Sequence, residues 1–69
     1  MSMDPILPLA ANLKQIRAQR GWSYDDASRA TGFDAEVLEG IERGRTFIGS
    51  AAVGHLAERL GVDARELTS

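Results

Sequence analysis

The chain has 69 residues, no cysteine, and 10 acidic against 8 basic side chains, for a formal net charge of −2. This length accommodates one domain. The absence of cysteine excludes disulfides and thiolate metal sites, and no apolar run approaches the ~18 residues of a membrane span. A domain that binds nucleic acid is usually basic, because phosphate neutralisation supplies most of its sequence-independent affinity. The overall charge therefore argues mildly against a DNA partner.

The first third of the chain predicts an arm followed by one amphipathic helix. Residues 1–8 hold two prolines and are predicted to form the arm, with Pro8 suited to the first position of a helix. Apolar residues then recur at helical spacing as far as Arg20, and Gly21 is expected to end the helix. Trp22 follows, and packing against the core is its expected role. No secretory signal is recognisable at this end, so a cytoplasmic protein is expected.

The central stretch, residues 23–44, predicts two short helices joined by a glycine turn. Ser23 and Asp26 have the spacing of a capping box at the start of the first of these helices. That helix is expected to last about eight residues and to stop at Gly32, which can adopt the left-handed conformation of a tight turn. Asp34 is the expected cap of the next helix. Two helices joined in this way form the arrangement that places its second helix in a DNA major groove.

The remainder of the chain predicts a loop and two further helices. The loop holds two adjacent large apolar residues, Phe47 and Ile48, one of which is expected in the core. A helix is predicted over 50–60, and Gly54 inside it costs about 0.5–1 kcal/mol relative to alanine, so the close approach of another helix is expected there. A last short turn is predicted after Asp63. With no strand pattern in the sequence, the predicted fold class is all-α with about five short helices.

Between residues 13 and 67 the chain resembles the phage-repressor-type (Cro/repressor, or Xre) helix-turn-helix family. The features that carry this resemblance are the opening LKQIRAQRGWS, the turn at Gly32, IERG at 41–44 and LAERLGVDAREL at 56–67. The resemblance implies a compact five-helix, lambda-repressor-like DNA-binding domain that occupies residues 9–69, with its helix-turn-helix core at 23–44. It implies no cofactor and no metal.

The resemblance also assigns roles to individual residues. In this family an arginine of the first helix pairs with the glutamate of the ERG-like motif, which implies a structural ion pair between Arg17 and Glu42. The third helix is expected to face the DNA groove, while the start of the second helix and the loop after the third approach phosphates. The implied DNA-binding residues are Ser23, Tyr24, Ala35, Glu36, Glu39, Gly40, Arg43, Arg45 and Thr46.

The third helix departs from the usual pattern of the family. Ala35 and Gly40 replace positions that often carry long polar side chains, and residues 34–42 include four acidic side chains but no lysine or arginine. Acceptance of a hydrogen bond from cytosine N4 by Glu36 or Glu39 is the remaining direct contact with a base. A solvated acidic helix face is an equally weighted alternative.

Two functions are compatible with these residues. The first is a small sequence-specific DNA-binding transcriptional regulator that acts as a homodimer on a palindromic operator. Its dimer contact is expected either around Gly54, His55, Val62 and Leu67 or through the loop of Phe47 and Ile48. The second is a protein-interaction module that keeps the helix-turn-helix fold, has lost DNA binding and docks a partner through Phe47 and Ile48.

An enzyme is the least supported class. The chain contains a single histidine, His55, and nothing is spaced to act with it as a nucleophile or a metal site. No glycine-rich phosphate-binding loop is present either. The sequence therefore predicts a binding protein without catalytic activity.

Overall fold

The computed structural model describes residues 6–69, with the backbone alone for residues 6 and 7, and this part of the chain holds five α-helices and no strand. The helices are α1 (Ile6–Gln19), α2 (Tyr24–Thr31), α3 (Ala35–Glu42), α4 (Ser50–Leu60) and α5 (Ala64–Thr68). The predicted all-α fold of five short helices is confirmed. Within the same range, no helix is both long and apolar enough to cross a membrane.

The first helix begins earlier than the sequence predicts. It starts at Ile6, so residues 6–8, which are assigned to the arm on the basis of their prolines, are helical. Pro8 is the third residue of the helix instead of its first. That position still lies in the first turn, where a backbone N–H has no intrahelical partner and proline is tolerated. The rest of the predicted arm, residues 1–5, lies outside the described residues.

The α2–α3 pair forms with the predicted capping box at the start of α2 and the predicted turn at Gly32, but without the side-chain cap expected from Asp34. Asp26 N–H donates to Ser23 Oγ at 3.1 Å, and Ser23 N–H donates to the Asp26 carboxylate at 3.0 Å, which completes the capping box. Gly32 ends α2 with φ +79°, in the left-handed region. Asp34 occupies the N-cap position of α3, but its side chain makes no capping hydrogen bond. With so short a connection, α2 and α3 pack directly against each other.

The core lies where α1, α3, α4 and α5 meet. Its most deeply buried large side chains are Leu13, Leu38, Ile41, Leu56 and Leu67. α2 contributes only the small side chains of Ala27 and Thr31 to the buried set. Trp22 and Phe33, at the two ends of α2, are half-buried and pack against the core, as expected for the tryptophan.

The segment that leads from α3 into α4 separates its two large apolar residues. Ile48 packs against the core and Phe47 remains 74% exposed, so the prediction that one of them joins the core is confirmed. The N-cap of α4 is Gly49, and Ser50 is its first helical residue. A Cβ atom on Gly54 would meet nothing within 4 Å. The expected close approach of another helix at Gly54 is therefore wrong.

One side chain of α1 and one from the turn that follows it hold the C-terminal helices in place. Asn12 Nδ2 donates to the backbone carbonyls of Leu67 and Ser69, at 2.9 and 3.1 Å. Arg20 Nη2 donates to the carbonyl of Leu60 at 2.9 Å, which ties the end of α1 to the end of α4.

The side chain of Leu67 is completely buried within the domain, so its expected role in a dimer contact is wrong.

Candidate nucleic-acid interface

A bidentate ion pair joins α1 to α3. Arg17 Nε donates to Glu42 Oε2 at 2.8 Å, and Arg17 Nη2 donates to Glu42 Oε1 at 3.0 Å. The side chain of Glu42 is 3% exposed and that of Arg17 is 18% exposed. The two residues that the family resemblance pairs are thus in contact, and their charges are largely removed from the surface.

The ion pair also fixes the entry to α2. Arg17 Nη1 donates to the carbonyl of Trp22 at 2.8 Å, and the guanidinium lies 4.2 Å from the centroid of the Tyr24 ring. The hydrogen bond with Glu42 raises the pKa of Arg17 above its ordinary value, against the opposing effect of burial. The Tyr24 hydroxyl donates to Glu42 Oε1 at 3.2 Å. Since a phenol carries one O–H hydrogen, Tyr24 has none left for the phosphate contact expected of it.

A groove of about 270 Å³ lies beside α3 and the loop that follows it, and we call it the α3-loop groove. Its lining residues are Glu36, Glu39, Gly40, Arg43, Arg45 and Thr46. All six belong to the nine residues that the family resemblance assigns to DNA. The other three, Ser23, Tyr24 and Ala35, do not line this groove.

The charges around the α3-loop groove are balanced. Arg43 Nη2 lies 2.8 Å from Glu39 Oε2, one helical turn away, with the side chains 54% and 40% exposed. Glu36 and Arg45 are exposed, and within residues 6–69 neither takes part in an ion pair. An exposed pair such as that of Glu39 and Arg43 contributes roughly 0.3–0.5 kcal/mol, so a phosphate can displace the carboxylate from Arg43.

Gly40 lies buried beneath the loop, and it does not present an exposed position to the groove. The amides of Arg45 and Thr46 both donate to its carbonyl, at 2.8 and 3.1 Å. A Cβ atom on Gly40 would collide with Thr46 Oγ1 and would lie 3.0 Å from Thr46 Cβ. The family resemblance implies a groove position that merely lacks a side chain here, whereas the space for a side chain is filled by Thr46.

Two contacts at this site are absent from the sequence predictions. The pair of Glu39 and Arg43 has a local signal that sequence reasoning could have used, because opposite charges four residues apart meet on a helix. The hydrogen bond from Tyr24 to Glu42 joins residues 18 positions apart on two different helices. No local pattern indicates a contact of that kind.

The five helices, the α2–α3 pair with a capping box at the start of α2, and the buried ion pair define a repressor-type helix-turn-helix domain. Comparison with known families agrees with this assignment. Residues 8–69 match the family model described as a helix-turn-helix domain, and the chain belongs to this family.

Individual relatives are similar in sequence and in structure. A hypothetical transcription factor of Neisseria meningitidis serogroup B is 34% identical over 59 residues, which are 86% of this chain and 56% of that protein. The chain therefore spans a little over half the length of this curated relative. The crystal structure of a hypothetical transcription factor from Neisseria has a TM-score of 0.86 at 32% identity, over 96% of this chain and 76% of that one. A restriction-modification controller protein from Aeromonas hydrophila has a TM-score of 0.78 at 26% identity, over 90% and 94% of the two chains.

Proposed function

We propose that this chain is a sequence-specific DNA-binding transcriptional regulator of the cytoplasm, acting as a homodimer on a palindromic operator. The observation that carries the proposal is the α3-loop groove, which brings together six of the nine residues expected to contact DNA. In this mode α3 enters the major groove and the loop runs beside the phosphate backbone. The similarity to a hypothetical transcription factor supports the DNA-binding part of the proposal.

The homodimer is proposed because one protomer offers few cations to the DNA. Arg43 and Arg45 are the basic residues that line the groove. Each neutralised phosphate contributes about 0.9 to the slope of log K against log salt, so one protomer gives a shallow salt dependence and a modest affinity. Two protomers on half-sites about 34 Å apart double the number of neutralised phosphates.

DNA binding is tested by fluorescence anisotropy on two duplexes, the DNA upstream of the protein's own gene and a scrambled control. Measurements at about 50 and 200 mM salt cover the range in which phosphate contacts weaken. The wild-type protein is expected to bind the upstream duplex more tightly and to lose affinity as salt rises. Failure to bind either duplex at the lower salt contradicts the proposal.

A matched pair of variants locates the interface. Arg43→Ala with Arg45→Ala is expected to abolish specific binding, and the slope of any residual binding falls by roughly one for each phosphate that is no longer neutralised. Arg59→Ala with Arg65→Ala is the control, since it removes the same charge from exposed positions on α4 and α5. Equal losses of affinity in the two variants would show that net charge alone matters.

Sedimentation of the wild-type protein as a monomer at high micromolar concentration would contradict the homodimer.

A protein-interaction module is the second candidate, and the exposure of Phe47 favours it. Among the described residues, Phe47 is the one large apolar side chain that stays mostly in solvent, at 74% exposure. Ile48, the other residue of the predicted docking pair, packs against the core and offers less surface. On this interpretation Phe47→Ala damages binding of a protein partner, while Arg43→Ala with Arg45→Ala leaves it intact. If the chain is a DNA-binding regulator, Arg43→Ala with Arg45→Ala weakens DNA binding more than Phe47→Ala does.

A further inference from the structure

The loop after α3 is bonded to the last turn of that helix. Arg43 N–H donates to the carbonyl of Glu39 at 3.0 Å, and Gly44 N–H donates to that of Ile41 at 3.1 Å. The next two amides, those of Arg45 and Thr46, both donate to the carbonyl of Gly40. Gly44 permits the reversal because its φ of +73° lies in the left-handed region. The position of Arg45 therefore depends on its attachment to Gly40.

The same attachment requires a residue without a side chain at position 40. A Cβ atom there would collide with Thr46 Oγ1 and lie 3.0 Å from Thr46 Cβ, while the Thr46 backbone nitrogen would be 3.8 Å away. The obstacle is thus the side chain of Thr46 and not the backbone of the loop. Gly54, inside α4, has open space where its Cβ would be. Glycine inside a helix lowers the stability of that helix. At position 40 a larger residue would collide with Thr46, whereas at position 54 no neighbouring atom excludes a larger residue.

We infer that Gly40 is a positioning residue for DNA binding, acting through Thr46 to hold Arg45 beside Arg43. This inference rests on the proposed function. A side chain at position 40 displaces Thr46 and breaks the two amide bonds to the Gly40 carbonyl. Arg45 then loses its fixed place relative to Arg43, which remains attached to α3. Arg45 then no longer lines the groove together with Arg43, and its contact with a phosphate is lost.

The test compares three variants: Gly40→Ala, Gly54→Ala as the matched control for amide exchange, and the rescue Gly40→Ala with Thr46→Gly. The rescue removes both side-chain atoms of Thr46 that a new Cβ would meet and leaves only the ordinary contact with the backbone nitrogen. Hydrogen exchange of the Arg45 and Thr46 amides, followed by NMR without DNA, reports the attachment of the loop. Anisotropy on the duplex that the wild-type protein binds reports function.

Gly40→Ala is expected to speed exchange of both amides by about tenfold, the effect of losing one net hydrogen bond. It is expected to weaken DNA binding by about tenfold at about 50 mM salt and to lower the salt slope by about one per protomer, as when one phosphate is no longer neutralised. Gly54→Ala is expected not to speed exchange of either amide, and it is the control for that measurement alone, because Gly54 belongs to a surface that is expected to form the dimer contact. The rescue variant recovers both amide exchange and DNA binding.

Each other outcome overturns a distinct part of the inference. Unchanged amide exchange in Gly40→Ala overturns the attachment, whatever the DNA result. Faster exchange with an unchanged affinity and salt slope overturns the positioning role. Should Gly40→Ala fail to fold, the rescue variant decides, because its folding supports the collision with Thr46 and its failure refutes it. If the wild-type protein binds no duplex, the proposed function fails and amide exchange still tests the attachment of the loop.

Discussion

Replacing Glu42 by glutamine is expected to destabilise the domain by about 3–5 kcal/mol, because it leaves the Arg17 guanidinium without its counter-charge. Glu42 accepts three hydrogen bonds, two from Arg17 and one from the Tyr24 hydroxyl. At 3% exposure its position admits little water that could replace the missing charge. Glutamine keeps the size of the side chain but removes its negative charge and one of the two oxygens that accept from Arg17.

The geometry of Arg17 places the expected loss of stability near the lower end of that range. The arginine is 18% exposed and keeps its hydrogen bond to the Trp22 carbonyl, so it is not wholly deprived of polar contacts. A loss of about 3 kcal/mol is nevertheless large for this chain. At ~0.05–0.15 kcal/mol per residue, a domain of this length has a free energy of unfolding of roughly 3–10 kcal/mol.

The measurement is urea unfolding followed by the helical circular dichroism signal, with an unchanged dependence on denaturant as the sign of an intact two-state transition. Arg17→Met with Glu42→Leu removes both charges and is expected to recover most of the stability, because apolar replacement of a buried pair is often neutral. Glu39→Gln is the surface control and should cost at most about 0.5 kcal/mol. The buried-charge explanation fails if Glu42→Gln costs no more stability than Glu39→Gln. It also fails if the double variant loses as much stability as Arg17→Met and Glu42→Leu lose in total when each is made alone.

Three further predictions concern α4, the α2 cap and the groove. Gly54→Ala is expected to raise the free energy of unfolding in urea by about 0.5–1 kcal/mol, since the methyl group enters open space; a loss of stability would reveal a contact there. Hydrogen bonds with Ser23, foremost its backbone N–H, hold the pKa of Asp26 below its ordinary 3.8. The stability that Asp26 contributes is therefore complete above that pH and lost as pH falls through the lower pKa of the folded state, so the deficit in melting temperature of Asp26→Asn should shrink in acid. Glu39→Gln is expected to free Arg43 and to strengthen binding to the upstream duplex at low salt, whereas weaker binding would identify Glu39 as a base contact.

The parts of the fold that were predictable depend on signals a few residues apart. The capping box of Ser23 and Asp26 and the left-handed turn at Gly32 each involve atoms of one turn of chain, and both formed as predicted. The start of α1 was predicted wrongly because proline indicates a helix start but is tolerated anywhere in the first turn. The close approach inferred at Gly54 was also wrong, because a glycine inside a helix does not by itself reveal what packs against it.

The arrangement within the site was less predictable than the set of residues that form it. Gly40 and Thr46 are separated by a helix end and a reversal of the chain, so their steric fit becomes visible only once both backbones are placed. The same holds for Tyr24, whose hydroxyl is engaged by a glutamate from another helix. Sequence alone identifies a candidate donor, but burial and partners decide whether its hydrogen is available to a ligand.

The acidic character of residues 34–42 has a different meaning in the folded domain. Of its four carboxylates, Glu42 is buried against Arg17 and Glu39 is paired with Arg43, which leaves the field of α3 less negative than the sequence implies. The groove itself is lined by two carboxylates and two guanidiniums, so it should attract DNA of any sequence only weakly. A regulator built on such a surface must draw affinity from the shape and contacts of α3 and from a second protomer. DNA binding and dimerisation would then be linked, and DNA occupancy would rise more steeply with protein concentration than binding of a single protomer allows.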